Sequence, residues 1–217
     1  MRLGILGGTF DPIHIGHLRL AEEMCEELNL SRVLLIPGAQ PPHKGGPQVA
    51  PFPDRLEMTK IGTSSSDYLE ASDIEGHREG PSYSFETVRI IREKYGDRLE
   101  LYFILGSDAF KEINTWKEYK KLFQITNFVV IERPGITLDE LGAFIESLGA
   151  GFKAEGIDDF INSYGNHVFF KKTTLMDISS TKIRQKIRAG KSINFIVPQK
   201  VKEYISKKGL YIKNEVS

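Results

Sequence analysis

Apolar positions along this chain alternate between two spacings. Largely apolar runs occur at residues 3–6, 33–36, 99–105, 128–132 and 168–170. Short runs of this kind bounded by turn residues mark buried strands, and 99–105 is the clearest central one. Between the runs, apolar residues recur three and four apart, as in Leu18, Leu20, Ala21, Met24, Cys25 and Leu28, or Phe85, Val88, Ile90 and Ile91. Leu56, Met58 and Ile61 repeat the pattern after Pro53-Asp54, and residues 138–148 repeat it again. Each of these stretches reads as the buried face of a helix, with Asp54 and Ser84 as the caps of the second and third. Residues 68–75 alternate enough for an edge strand, whereas 149–165, rich in glycine and acidic residues, reads as a connection. The run at 168–170 reads as the last strand of the sheet. Two helices follow it, one carrying Ile183 and Ile187, the other starting near Pro198 and closed by Gly209.

Strands alternating with helices predict an α/β fold, a Rossmann-like doubly wound parallel sheet with helices on both faces and a small helical segment from about residue 178. With 217 residues and 40% apolar content the chain can bury one core, so one domain over 1–217 is expected. Lys plus Arg equals Asp plus Glu, 29 of each, which leaves no long-range field to attract nucleic acid. The single cysteine, Cys25, falls on an apolar helix face and suits a reducing compartment. No apolar run approaches the length of a membrane span, and a cytoplasmic protein is expected.

The chemistry concentrates where the first strand meets the first helix, in Gly7-Gly8-Thr9-Phe10-Asp11-Pro12-Ile13-His14-Ile15-Gly16-His17-Leu18. A strand, a glycine turn and a helix start brought together aim backbone N–H groups and a helix dipole at one point, which suits a phosphate. His14 and His17, three apart, share one helix face and can donate to phosphate oxygens. The spacing fits neither a P-loop nor G-x-G-x-x-G. Further along, His43 and Lys44 lie in a Pro- and Gly-rich loop after the second strand and could reach the same phosphate. Gly106 and Asp108 end the central strand, where open α/β sheets place ligands; Asp108 can bond ribose hydroxyls or a metal-bound water, or cap a turn. Trp116 can stack on a pyridine or purine ring, or be core. Arg133, at another strand end, offers a phosphate or adenine contact or is a surface residue. In Asp177-Ile178-Ser179-Ser180-Thr181-Lys182-Ile183-Arg184, Ser179 or Ser180 caps a helix. The Ser180 and Thr181 hydroxyls then face a terminal phosphate, and Arg184 can grip the same anion.

GGTFDPIHIGHL resembles the first signature of the nucleotidyltransferase superfamily, related to the HIGH motif of class I aminoacyl-tRNA synthetases. Its wording is similar to that of the bacterial nicotinate-nucleotide adenylyltransferase family. Pro-Pro-His-Lys, Pro-Ser-Tyr-Ser, Gly-Ser-Asp, Thr-Trp, Arg-Pro-Gly and I-S-S-T-x-I-R follow in family order. The resemblance implies transfer of the adenylyl group of ATP to nicotinate mononucleotide, giving deamido-NAD and pyrophosphate. It implies His14, His17 and Arg184 as catalytic, and an ATP site of Gly8, Thr9, Phe10, His14, His17, Gly106, Asp108, Arg133, Ile178, Ser180, Thr181 and Arg184. It likewise implies a nicotinate mononucleotide site of Thr9, His43, Lys44, Ser84, Trp116 and Lys117, in which the backbone N–H of Lys117 meets the substrate carboxylate. Mg2+ is expected to arrive with ATP, held by phosphates and water, since no dedicated carboxylate cage is visible. Homo-oligomerisation is left open.

The substrate's own phosphate can attack the α-phosphorus in line, so catalysis reduces to positioning and charge stabilisation. Alternative readings are an adenylyltransferase for nicotinamide mononucleotide or phosphopantetheine, and a non-catalytic nucleotide-sensing module. The phosphopantetheine enzymes lack the Thr-Trp and Pro-Ser-Tyr segments, and a sensing module would not require both histidines and Arg184. An RNA-binding role is disfavoured by the balanced charge.

Overall fold

The computed structural model describes residues 1–40, 49–96, 98–133 and 137–212. His43 and Lys44, and the Pro134-Gly135 part of the Arg-Pro-Gly segment, lie outside them. The strands are β1 (Arg2–Gly8), β2 (Arg32–Pro37), β3 (Leu69–Ala71), β4 (Glu100–Gly106), β5 (Asn127–Ile131), β6 (Lys153–Ala154), β7 (Asp159–Ile161) and β8 (His167–Lys171). The helices are α1 (Ile15–Glu27), α2 (Phe52–Thr63), α3 (Ser84–Tyr95), α4 (Ser107–Lys111), α5 (Tyr119–Ile125), α6 (Leu138–Ser147), α7 (Ser180–Arg188) and α8 (Gln199–Lys208). The described residues build one sheet in the order β3-β2-β1-β4-β5-β8-β7-β6. Pairing is parallel from β3 through to β8 and antiparallel from β8 to β6.

Alternation within each strand sends side chains to two separate cores. On β4, Leu101, Phe103 and Leu105 meet α3, α4, α5 and α6 through Val88, Ile91, Phe110, Leu122, Phe123 and Leu141. Tyr102 and Ile104 face the other way, toward Met24 and Cys25 of α1, Met58 of α2, Ile183 of α7 and Val201 of α8. Both faces are therefore covered, as a parallel sheet requires. The chain runs from β1 outward through β2 to β3, then returns to β4 on the other side of β1. The crevice beyond the C-terminal ends of β1 and β4 is thus the topological switch point, where such sheets receive ligands.

The fold differs from the sequence reading at several places. Residues 149–165 are more than a connection: they contain β6 and β7, which extend the sheet past β8, so 168–170 is last in the chain but not at the sheet edge. Gly7 and Gly8 complete β1 instead of forming the turn, which falls at Asp11 and Pro12, joined by a cis peptide bond. Asp54 does not cap α2, which begins at Phe52 after Pro51; its carboxylate accepts a hydrogen bond from the Tyr204 hydroxyl (2.7 Å). Ser84 is the first residue of α3, whose N-cap position is Tyr83, without a side-chain cap bond. The buried face of α2 is also unlike the expected Leu56, Met58 and Ile61. Only Met58 is buried, beside Arg55, Thr59, Gly62 and Thr63.

Candidate active site

His14 occupies the N-cap of α1 in extended conformation, and the first turn is closed by two imidazoles. The His17 amide donates to Nδ1 of His14 (3.4 Å), and the His14 amide donates to Nδ1 of His17 (3.3 Å). This is the reciprocal capping arrangement usually made by a hydroxyl and a carboxamide or carboxylate. Since Nδ1 accepts in each ring, a neutral imidazole here carries its proton on Nε2. The rings stack with centroids 3.5 Å apart and planes 18° apart, and Phe10 abuts His17 edge-on at 5.0 Å. Gly16 makes the stack possible: a Cβ there would lie 3.2 Å from Nδ1 of His14 and 3.7 Å from Cβ of Met176. His14 is 5% exposed. Burial, and after it the Arg133 guanidinium, pushes its pKa down to about 4, so it is neutral at physiological pH.

The supply of free amides is smaller than the sequence suggested. The Ile15 N–H donates to the Ile196 carbonyl (3.1 Å), while the His17 and Leu18 amides return to the His14 carbonyl (3.0 and 3.3 Å). The cationic and imidazole side chains consequently carry more of any anion binding than the helix start does.

The two ends of the chain meet at this turn. Ser179 caps α7, accepting from the Lys182 amide (3.2 Å), which leaves Ser180 to donate its hydroxyl to the Pro12 carbonyl (2.9 Å). Arg184 donates Nη1 to the Asp11 carbonyl oxygen (2.7 Å), lies 3.3 Å from Asp11 Oδ2, and reaches Thr181 Oγ1 through Nη2 (3.3 Å). Ile178, half-buried, packs with the apolar group beneath α1 and α7.

Gly106, Asp108 and Arg133 form the opposite wall. A Cβ on Gly106 would lie 2.4 Å from Asp108 Oδ1 and 3.2 Å from Arg133 Nε, so both side chains converge on the space a glycine leaves. The Arg133 amide donates to the buried Ser107 hydroxyl (3.1 Å), tying the ends of β4 and β5 together. Gly8 is the last residue of β1, and its carbonyl accepts from the Gly38 amide (2.9 Å). Thr9 offers its carbonyl to Arg55 (2.9 Å).

Ser84, Trp116 and Lys117 make a second grouping. The Lys117 ammonium sits 4.7 Å over the Tyr83 ring and 3.3 Å from Glu86, which joins the start of α3 to the Thr-Trp segment. The Trp116 ring packs edge-on against Phe103 at 5.8 Å, and Phe103 Cζ lies 3.9 Å from where a Gly7 Cβ would be. Through Phe103 this grouping borders the end of β1.

Three residues that frame the site escaped sequence reading. Asp11, 1% exposed, accepts at Oδ1 from the Ala50 amide (3.0 Å) and the Tyr211 hydroxyl (2.7 Å). Arg55, 2% exposed, donates to the carbonyls of Ala50 (2.9 Å), Thr9 (2.9 Å), Gly38 (2.8 Å) and Ala39 (3.5 Å). Asp11 stands inside the first signature and could have been singled out there. Arg55 and Tyr211 have no local signal.

Other charged groupings lie apart from this crevice. Glu155, Asp159 and His167 converge on the antiparallel strands, where Nδ1 of His167 is hydrogen-bonded to Asp159 (2.9 Å). A cavity of about 630 Å³ is lined by Glu132, Asp158, Lys171 and Lys172, with Lys171 paired to Asp158 (3.4 Å) and Lys172 to Glu132 (3.4 Å). Each of its lysines is paired with a carboxylate. Among the described residues, no helix is long and apolar enough to cross a membrane.

A doubly wound sheet with stacked histidines at its first helix and a serine-arginine helix closing on them defines a nucleotidyltransferase. The chain belongs to the cytidylyltransferase-like family, whose model matches residues 5–186. A relative from Desulfatibacillum aliphaticivorans, named "Probable nicotinate-nucleotide adenylyltransferase", is 43% identical over 98% of this chain and 100% of its own length. One of the same name from Syntrophotalea carbinolica is 41% identical over 100% of both chains. Within the class, the chain is a member of the nicotinate-nucleotide adenylyltransferases. The fold is also that of the Plasmodium falciparum nicotinic acid mononucleotide adenylyltransferase solved with NaAD. The two agree at TM-score 0.74 with 21% identity, over 97% of each chain.

Proposed function

We propose that the chain transfers the adenylyl group of ATP to nicotinate mononucleotide, forming deamido-NAD and releasing pyrophosphate. The observation that carries this reading is the meeting of α7 with the first turn. Ser180 bonds to Pro12 and Arg184 to Asp11, within three residues of His14, which supports a crevice shared by the imidazoles and the guanidinium. A triphosphate spanning it has its α-phosphate near His14 and His17 and its leaving pyrophosphate toward Arg184, Ser180 and Thr181. The nicotinate mononucleotide phosphate attacks the α-phosphorus in line, and the bond to the bridging oxygen of pyrophosphate breaks. No side chain becomes covalently attached.

The residues supply position and charge. His14, neutral, donates from Nε2 to phosphate oxygen, and His17 acts beside it. Arg133 and Arg184 offset the charge that spreads over the phosphates. Gly8, Thr9 and Phe10 line the nucleotide, Ile178 borders it, and Gly106 with Asp108 receives the ribose. Ser84, Trp116 and the Lys117 backbone receive the nicotinate ring and its carboxylate. Magnesium carried in by ATP would neutralise phosphate charge, and Asp108 would be the side chain available to a water on it.

The test is to incubate the protein with Mg-ATP and, separately, nicotinate mononucleotide, nicotinamide mononucleotide or phosphopantetheine, and to chromatograph for pyrophosphate and dinucleotide. Product from the first acceptor, well above the others, is the expected result. Product from none overturns the reading, and faster turnover of either alternative replaces the acceptor.

A further inference from the structure

After α8 the chain turns through Gly209 (φ 62°) and then places Tyr211 at φ 68°, a left-handed conformation that bulky residues adopt only under constraint. The constraint is visible. The Tyr211 hydroxyl donates to Asp11 Oδ1 at 2.7 Å, across 200 residues of sequence. α8 itself docks on α2, where Tyr204 bonds Asp54 (2.7 Å) and Lys208 lies 3.5 Å from it.

We propose that Tyr211 is a positioning residue for adenylyl transfer, acting through Asp11 to keep the Arg184 guanidinium turned toward the triphosphate. Asp11 has two unlike oxygens. Oδ1 accepts from two neutral donors, the Ala50 amide and the Tyr211 hydroxyl, whereas Oδ2 is buried without a hydrogen bond, 3.3 Å from Nη1 of Arg184. The shorter Arg184 bond, 2.7 Å, goes to the Asp11 main-chain oxygen instead. The two donors fix the rotation of the carboxylate and draw off part of its charge. Arg184 therefore meets Asp11 through Nη1 alone, with Nη2 on the Thr181 hydroxyl, and does not close into a bidentate pair with the carboxylate, which would use up the fork needed by a phosphate. Burial, with Asp11 next in effect, pushes the Tyr211 phenol pKa well up, so it remains the donor throughout the working pH range.

Without the hydroxyl, only the Ala50 amide restrains the carboxylate, which can then turn further onto Arg184 and draw it from the crevice. Tyr211→Phe in the full chain is expected to raise the ATP KM on the order of ten-fold, the size of a lost charge-assisted contact, and to leave the nicotinate mononucleotide KM within about two-fold. The control is Tyr204→Phe, which removes a comparable bond of α8 to Asp54 and should lower the melting temperature without moving the ATP KM. In an Arg184→Ala background, binding of a non-hydrolysable ATP analogue, followed by Trp116 fluorescence or calorimetry, should not change further on adding Tyr211→Phe. An unchanged ATP KM in Tyr211→Phe overturns the proposal. So does an equal rise in Tyr204→Phe, or an undiminished effect without Arg184. The proposal rests on reading the crevice as an ATP site: if the wild-type protein consumes no ATP, that reading fails first, whereas an active wild type matched by Tyr211→Phe removes only the positioning role.

Discussion

Acidification should destabilise this protein through one imidazole more than through an ordinary histidine. The folded pKa of His14 lies at about 4 against 6.5 in the unfolded chain. Between those values the unfolded state binds the proton that the folded state refuses, so stability falls as pH falls. The contribution is fully present above pH 6.5, erodes below it, and levels off once pH drops through 4. At pH 5 the unfolded ring is almost wholly protonated and the buried one almost wholly neutral, a difference of roughly 2 kcal/mol relative to pH 7.5. Urea unfolding of the wild type and of His14→Asn, at pH 7.5 and 5.0, isolates this amount. Asparagine can accept the same amide bond at an N-cap but does not titrate. The wild type should lose about 2 kcal/mol more than the variant between the two pH values. Histidine NMR of the ligand-free protein should show one ring still neutral at pH 5. Equal losses in both proteins, or a His14 midpoint near 6.5, would refute the argument that burial and Arg133 hold the ring neutral.

Other perturbations separate chemistry from scaffolding. His17→Ala should slow turnover by about 10²-fold or more in a steady-state pyrophosphate-release assay, as removal of a preorganised donor does, while circular dichroism stays native. Gly106→Ala places a methyl 2.4 Å from Asp108 Oδ1 and 3.2 Å from Arg133 Nε. Both are ends of side chains that can move aside, so the melting temperature should hardly change, but kcat/KM for ATP should fall about ten-fold or more as the two groups are displaced. Arg55→Ala strands carbonyls at Thr9, Gly38 and Ala50, and should cost about 3 kcal/mol in chemical denaturation.

What the sequence disclosed and what it hid divide along a physical line. β4 was legible because it is buried on both faces, which leaves an unbroken apolar run. The buried ridge of α2 was not, because it is Arg55, Thr59 and Thr63, polar residues whose hydrogen bonds are met internally. Thr59 donates to the Arg55 carbonyl (2.8 Å) and Thr63 to that of Thr59 (3.1 Å). β7 is three residues long and exists through pairing with β8, which no local pattern announces. In the crevice, His14, His17, Ser180 and Arg184 could be picked out because their spacing is local. Their partners could not: that Ser180 spends its hydroxyl on Pro12, or that Ile196 takes up the Ile15 amide, is decided by segments far apart in sequence.

The first signature is held by partners far from it along the chain. Ser180 reaches Pro12 across 168 residues, Arg184 reaches Asp11 across 173 and Tyr211 across 200. These contacts are among the least local in the fold, so the loop-closure entropy they cost is met only once distant segments have come together. The turn is thus sealed by long-range closure and not by any local segment.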